Sequence, residues 1–159
     1  MTKLKIIPLV LSIGVCFLAA GIGSFSTTSA IDTWYVTLQK PFFNPPNWVF
    51  GPVWTLLYLL MGISLYLVWI TKTDKKTKRK AITFFFVQLA LNVLWSILFF
   101  GLKLPSAAFV GIVLLWLTIL MTIKNFLPIS KVAGWLLIPY ITWVSFASVL
   151  NLSLIILNR

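Results

Sequence analysis

The sequence is poor in the residues that carry most enzyme chemistry. It has no histidine and no glutamate, and its two aspartates, Asp32 and Asp74, lie in separate polar stretches. Histidine-ligated zinc or haem iron, paired carboxylates and histidine-activated nucleophiles are therefore excluded within one chain. Cys16 is the single cysteine, which excludes an intrachain disulfide and a thiolate metal cluster. We expect neither a conventional acid–base or metal-dependent enzyme nor a required cofactor.

Charge is also scarce. Only 9% of the 159 residues are charged, whereas roughly a quarter are charged in soluble domains, and 60% are hydrophobic. The apolar residues form five runs at about 6–25, 48–70, 81–101, 105–123 and 132–157, none of which contains Asp, Glu or Arg. Each run is long enough to cross roughly 30 Å of hydrocarbon. We therefore predict an all-α integral membrane bundle of five transmembrane helices, one domain over 1–159, with a long structured outer loop at 26–47.

The first run has a second interpretation, because Lys3 and Lys5 before an apolar stretch also resemble a cleaved signal peptide. We favour a retained helix, since the stretch is longer than a typical signal core. Small residues also recur every four positions, at Ser12, Cys16, Ala20 and Ser24. This spacing allows another helix to approach closely.

The cations are distributed unevenly. Ten of the thirteen lysines and arginines lie at the N-terminus or in the two loops of one predicted face. This asymmetry is a topology signal in preference to a nucleic-acid-binding surface. It predicts a plasma-membrane protein with its N-terminus in the cytoplasm and its C-terminus outside. The densest cluster, at 72–80, is most simply an anchor at the cytoplasmic face, with anionic lipid as a candidate partner.

The predicted loop at 26–47 is long for a connection in a compact bundle. It contains Trp34, Tyr35, Phe42 and Phe43, followed by an Asn-Pro-Pro-Asn sequence at 44–47. Prolines restrict the backbone of the unfolded loop as well as the folded one. We interpret the loop as a folded lid over one end of the bundle, in preference to a loose loop on the membrane surface.

Aromatic residues are the most abundant functional candidates, and eight of them are tryptophans. Three lie near predicted helix ends, where an indole favours the membrane interface: Trp48, Trp69 and Trp135. Three others lie deeper in the predicted helices: Trp54, Trp95 and Trp143.

Three amides share helical faces with the deep tryptophans, namely Gln88, Asn92 and Asn151. Polar amides in a bilayer normally face the bundle interior, so these stripes should face inward. Two interpretations of these stripes stay open. The first is interhelical packing with hydrogen bonds, and the second is an aromatic pocket for a flat hydrophobic ligand. A porphyrin would stack on Trp and Tyr, with its propionates near Lys40 or indole N–H groups. A sterol would use the same walls, and Pro139 would bend the fifth helix.

Three blocks of sequence carry a family resemblance. They read WYxxLQKP and NPPNWVFGPVWxxLY within 34–58, QLALNxxW and FFG within 88–101, and PYxxWxxFAxxLN at 139–151. These blocks resemble the translocator protein family, called tryptophan-rich sensory proteins in bacteria and the peripheral benzodiazepine receptor in mitochondria, and the chain looks like a bacterial member.

The resemblance implies a five-helix bundle, often dimeric, that binds porphyrins such as protoporphyrin IX and benzodiazepine-type ligands under the first loop. Three functions stay open: a receptor or carrier that binds porphyrin between helices two, three and five for tetrapyrrole sensing or transport, light-dependent porphyrin breakdown with Trp54 or Trp143 supplying electrons, and a structural or regulatory role. The ligand-binding residues implied by the resemblance are Tyr35, Pro45, Phe50, Trp54, Tyr58, Asn92, Trp95, Trp143 and Ala147.

One position departs from the vertebrate pattern. The cholesterol motif proposed for vertebrate members needs a tyrosine directly after the Leu-Asn pair, where this chain has Leu152, and Arg159 is the single nearby cation. Short motifs of this kind are weak indicators even when intact. We therefore expect weak sterol binding and favour a tetrapyrrole ligand.

Overall fold

The computed structural model describes residues 5–159 and shows, over that range, five helices that are long and apolar enough to cross a membrane. We number them in chain order: α1 (Ile6–Ile31), α2 (Asn47–Ile70), α3 (Lys75–Gly101), α4 (Pro105–Phe126) and α5 (Lys131–Leu157). One turn of 3-10 helix, Tyr35–Thr37, lies in the first connection. The predicted all-α membrane bundle of five helices is confirmed.

All five helices extend beyond the apolar runs that predicted them, and α1 and α3 do so by the most, six residues each. The first continues to Ile31, so its connection to α2 covers 32–46 and not the predicted 26–47. Hydroxyl groups in the added turns donate to carbonyls of the same helix, as Thr28 does to Ser24 at 2.9 Å. At the start of α3, the Asp74 carboxylate accepts from the Thr77 N–H at 2.9 Å and caps a basic first turn. Hydropathy alone misses such polar helix ends.

The helices form a closed ring. Packing runs from α1 to α2 and α3, from α3 to α4, from α4 to α5, and from the first turns of α5 back to α2. We call one end of the ring the lid end, where the first connection lies, and the other the basic end, where α3 begins. In the half toward the basic end, α1 and α2 cross closely at Gly62. A Cβ added there would lie only 2.8 Å from the Ile13 Cα, so glycine permits this approach.

Two helices contain irregular turns. The last helix is interrupted at Leu137 between Lys131–Leu136 and Ile138–Leu157. Pro139 lies two residues later and has no N–H to donate to the preceding turn, which accounts for this interruption. The last residues of α3, Ile97–Gly101, form a π turn. Such turns shift the side chains that follow them relative to a regular helix.

Candidate functional site

A hydrogen-bonded network, which we call the central network (Tyr58, Gln88, Asn92 and Tyr140), joins three helices inside the bundle. The Tyr58 hydroxyl donates to Asn92 Oδ1 at 3.0 Å, and Asn92 Nδ2 donates to the Tyr140 hydroxyl at 2.7 Å. The Tyr140 hydroxyl in turn donates to Gln88 Oε1 at 2.8 Å. All four side chains are buried. The network therefore serves as an interhelical connection.

The third amide on the inward faces, Asn151, occupies a similar position nearer the lid end. Its Oδ1 accepts from the Trp95 indole N–H at 3.1 Å, and its Nδ2 donates to the Pro105 carbonyl at 2.9 Å. Gln88, Asn92 and Asn151 are each 1% exposed. The prediction that the amide stripes face the interior is therefore confirmed.

An aromatic assembly centred on Trp54 lies between the central network and the lid. The Trp54 ring centroid is 5.8 Å from that of Tyr58, 6.3 Å from that of Trp95 and 6.4 Å from that of Tyr140. The Trp95 ring stacks on Phe99 at 5.5 Å with an interplanar angle of 26°. Offset aromatic contacts at these distances are favourable. Trp54 thus joins the aromatic faces of α2, α3 and α5.

A small cavity lies on the α5 side of this assembly and has a volume of about 20 Å³. It accommodates roughly one water molecule and is far below the size of a drug-like ligand site. Its main aromatic walls are Tyr35, Phe50, Trp54, Trp95 and Trp143. The indole N–H of Trp143 is buried and has no hydrogen-bond partner within residues 5–159.

A larger crevice lies on the α1 side of the same assembly and has a volume of about 460 Å³. Ligand pockets typically measure about 300–1,000 Å³, so the crevice suits a small organic ligand. Its α1 wall carries mainly small and hydroxyl-bearing residues between Phe17 and Ile31, and its opposite wall is largely aromatic. The residues shared by the crevice and the small cavity are Phe50, Trp54, Trp95 and Phe100.

The crevice opens on the lipid-facing surface between α1 and α2. Gly21 and Thr28 at its α1 edge are exposed, as are Gly51 and Thr55 at its α2 edge. A Cβ added at Gly21 or Gly51 would have no neighbouring atom within 4 Å. Each edge of the opening therefore has one position, Gly21 or Gly51, without a side chain and with open space beside it.

The first connection is a folded lid, as predicted. Tyr35 is 1% exposed, and its ring lies 6.2 Å from Phe50 and 6.3 Å from Phe99 between ring centroids. Its hydroxyl donates to Asn44 Oδ1 at 2.6 Å. Burial raises the pKa of Tyr35 to about 12, so this hydroxyl stays protonated and donating at physiological pH.

The lid is also attached to the end of α5. The Gln39 main-chain N–H donates to Asn158 Oδ1 at 2.9 Å, and Asn158 Nδ2 donates to the Gln39 carbonyl at 2.9 Å. Lys40 is turned to the lid itself, because its Nζ donates to the carbonyls of Val36 and Leu38 at 3.2 and 3.0 Å. Lys40 lines neither the crevice nor the small cavity.

Seven of the nine ligand-binding residues predicted from the resemblance line the crevice, the small cavity or both, and two line neither. The crevice and the small cavity have Phe50, Trp54 and Trp95 in common, and the crevice adds Tyr58. The small cavity adds Tyr35, Trp143 and Ala147. Pro45 and Asn92 line neither space, since Pro45 lies in the lid and Asn92 is committed to the central network.

The α1 wall of the crevice was missing from the predicted site. It consists of Phe17, Ala20, Gly21, Gly23, Ser24, Thr27, Thr28 and Ile31. The sequence carried a signal for it in the four-residue spacing of small residues, which we interpreted as a contact with another helix. Near the middle of α1 Cys16 is fully buried, whereas nearer the lid end Ser24 borders open space.

Charged groups take no part in the lining of either space among the described residues. Residues 5–159 also contain no group of three or more His, Cys, Asp or Glu side chains that could hold a metal ion. The linings of both spaces therefore consist of aromatic, other apolar and uncharged polar side chains.

Comparison with known proteins agrees with this architecture. The model of the TspO/MBR family matches residues 12–157. The tryptophan-rich protein TspO of Archaeoglobus fulgidus is 49% identical over 156 residues, covering 98% of this chain and 99% of that protein. The tryptophan-rich sensory protein of Cereibacter sphaeroides is 38% identical over 145 residues, covering 89% of each chain. The human translocator protein is 40% identical over 121 residues, covering 74% of this chain and 70% of that protein.

Proposed function

Because this chain belongs to the TspO/MBR family, we propose that it is a membrane receptor or carrier that binds porphyrins of the protoporphyrin IX type and acts in tetrapyrrole sensing or transport. The crevice between α1 and α2 carries this proposal, since it combines a volume of about 460 Å³ with an aromatic wall. The basic end faces the cytoplasm in this proposal, as the excess of cations predicts, and the membrane is the plasma membrane.

The two walls of the crevice suit the two faces of a tetrapyrrole. One face of the ring stacks on the aromatic wall at Trp54 and Trp95. The other face lies against the α1 wall, where Gly21 and Gly23 present almost no side chain. A flat ligand requires such a slot, because each bulky side chain on the α1 wall would hold the ring away from the tryptophans.

The ring enters from the lipid, through the opening between α1 and α2, and its propionates point to the lid end. Asn47, at the first turn of α2, lines the crevice near that end. Carboxylates there would reach interfacial water and the first N–H groups of α2, which favour anions. Lys40 has a smaller part than its sequence position indicated, because its ammonium group is bonded to lid carbonyls.

A second candidate function is light-dependent breakdown of the bound porphyrin. Trp54 favours it, because this indole lines both the crevice and the small cavity and contacts further aromatic rings at 5.8–6.4 Å between centroids. In this mechanism Trp54 or Trp143 donates one electron to the photoexcited ring, and the reduced ring passes that electron to dioxygen to give superoxide. The indole radical then regains an electron from the porphyrin, and the porphyrin cation combines with superoxide to give the oxidised product. A structural or regulatory role without a dedicated ligand is the third candidate.

Titration of the purified protein with protoporphyrin IX, followed by the shift of the porphyrin Soret band, tests the proposal. We expect saturable binding that Trp54→Leu weakens about tenfold, because about 1.4 kcal/mol of stacking is lost. The matched control is Trp116→Leu, which removes an indole from α4 that lines neither space. Non-saturable binding, or equal effects of the two variants, would contradict the proposed site and favour the third candidate.

Illumination of the same complexes in air distinguishes the second candidate function, light-dependent breakdown, from binding alone. Phenylalanine at Trp54 or Trp143 keeps an aromatic ring but is much harder to oxidise. If breakdown is a function of this site, Trp54→Phe or Trp143→Phe slows bleaching of the porphyrin while the affinity stays within about threefold of wild type. Bleaching at the wild-type rate in both variants would exclude these indoles as electron donors.

A further inference from the structure

The outward face of α3 changes from charge to apolar character along a single stripe. Lys75 and Arg79 are exposed in the first turns, Thr83 follows one turn later, and Phe86 and Ala90 continue the stripe toward the bundle middle. Residues spaced by three or four positions lie on one helix face. The face therefore carries cations and then an apolar surface over a distance of about 16 Å between Arg79 and Ala90, at 1.5 Å per residue.

Two shallow grooves flank the ridge formed by Lys75, Arg79 and Thr83. The first continues past Ile82 to Phe86, whose side chain is 43% exposed. The second is bordered by further cations of the same turns. The grooves thus begin among ammonium and guanidinium groups and run along the helix onto apolar side chains.

The charge at this end of α3 is largely uncompensated. Residues 72–80 contain six cations and one carboxylate, that of Asp74. The carboxylate is engaged by the Thr77 N–H at 2.9 Å. One of the cations, Lys78, donates to the Trp69 carbonyl at 2.9 Å and fixes the groove against the end of α2. An anion bound here would meet a preformed positive surface.

We propose that this face, which we call the basic groove (Lys75, Lys78, Arg79, Ile82 and Phe86), binds one anionic phospholipid. Lys75 and Arg79 hold the phosphate group, and one acyl chain lies along Ile82 and Phe86. An amphiphile fits both parts of the groove, whereas a nucleic acid or an acidic peptide would use the cations and leave the apolar part uncovered. Arg79 suits the phosphate best, because its planar guanidinium can donate two parallel hydrogen bonds.

Native mass spectrometry of the full chain in detergent tests this proposal, with phosphatidylglycerol and phosphatidylcholine as probes. We expect phosphatidylglycerol to bind as a discrete adduct that phosphatidylcholine does not form at the same concentration. Replacing Lys75→Gln and Arg79→Gln together should weaken that binding about tenfold, since each surface cation contributes substantially to the attraction of anionic lipid. Raising the ionic strength should weaken it in wild type.

The matched control removes the same charge from the other loop at the basic end, with Lys124→Gln and Lys131→Gln. We expect this double variant to bind within about threefold of wild type, because neither cation lines the basic groove. Phe86→Ala keeps every charge and removes apolar contact with the acyl chain, so it should lower the affinity for phosphatidylglycerol about threefold. The double variant Lys75→Arg/Arg79→Lys keeps both charges and should still bind phosphatidylglycerol. Its binding would show that the glutamine double variant loses affinity through lost charge and not through misfolding.

Three outcomes would overturn the proposal. If both glutamine double variants lost the same affinity for phosphatidylglycerol, the lipid would be attracted by the net charge of the protein and not by the basic groove. Equal binding of sn-glycerol 3-phosphate and phosphatidylglycerol, or no effect of Phe86→Ala, would show a phosphate site without an acyl-chain contact. A protein dimer that dissociates in the Lys75→Gln/Arg79→Gln variant and binds no lipid would assign this face to a second copy of the chain.

Discussion

The two halves of the bundle are packed differently, although the same helices run through both. In the half toward the basic end, α1 and α2 touch through their backbones at Gly62, and the Ser64 hydroxyl donates to the Ala133 carbonyl at 2.7 Å. In the half toward the lid end, the same two helices are separated by a crevice of about 460 Å³. The central network, with Tyr58 at its edge, lies at the boundary between them.

This difference shows that the open space is a local property and not a sign of loose packing throughout. Gly62 and Gly21 are both helical glycines facing the α1–α2 interface, yet a Cβ at Gly62 meets backbone at 2.8 Å and one at Gly21 meets nothing within 4 Å. The first glycine permits contact between helices. The second keeps a slot open beside aromatic residues, which is what ligand binding requires.

The largest expected effect comes from separating α1 and α2 in the half where they are in contact. Gly62→Leu places a side chain against the Ile13 backbone, which cannot move as a flexible side chain would. We expect the free energy of unfolding in detergent to fall by about 3 kcal/mol, as for overpacked cores. Thermal unfolding followed by circular dichroism measures this change. The control is Gly51→Leu on the same helix, in open space at the crevice, which should unfold within about 0.5 kcal/mol of wild type.

A smaller loss is expected from breaking the boundary between the halves. Asn92→Leu leaves the Tyr58 hydroxyl without an acceptor and the Tyr140 hydroxyl without a donor. Two interhelical hydrogen bonds in a membrane protein amount to about 2 kcal/mol in unfolding free energy. The comparison is Trp116→Phe, which removes the exposed bond from Trp116 to Ser145 and should cost about 0.5 kcal/mol. Equal losses of unfolding free energy in the two variants would mean that the central network stabilises the protein no more than the exposed hydrogen bond does.

The smallest effect concerns the lid. Asn158→Ala removes both contacts with the Gln39 main chain, so the lid should open more often while the helices stay folded. Hydrogen exchange of the Gln39 amide should accelerate about fivefold, corresponding to about 1 kcal/mol for one amide bond. Asn125→Ala serves as the control, because the Asn125 side chain bonds within its own helix. Unchanged exchange in Asn158→Ala would show that Asn158 does not hold the lid.

Most of the fold could be predicted from the sequence. Lipid is a uniform solvent for the outer surface, so apolar runs and amide-bearing stripes are sufficient to identify the spans and the inward positions of Gln88, Asn92 and Asn151. The six further residues of α1, ending at Ile31, were missed because hydroxyl groups satisfied by helix carbonyls look like loop residues in a hydropathy pattern.

The site was predicted less completely. Helical spacing and the family resemblance together selected Trp54, Tyr58 and Trp95 for the aromatic wall. Spacing cannot tell which space between two faces is filled and which is empty, since that depends on the distance between helix axes. The α1 wall at Gly21 and Ser24 therefore became evident only with the helices in place, as did the separation of Trp143 from the crevice.

The central claim is that the slot between α1 and α2 holds the porphyrin, and one pair of substitutions tests it most directly. Gly21→Leu fills the slot, whereas Gly14→Leu makes the same change two turns away on the same helix face, and neither Cβ meets another atom within 4 Å. Titrated with protoporphyrin IX, Gly21→Leu should lose at least tenfold in affinity, while Gly14→Leu should bind as wild type does. Full affinity in Gly21→Leu would contradict the account and move the ligand to another part of the molecule.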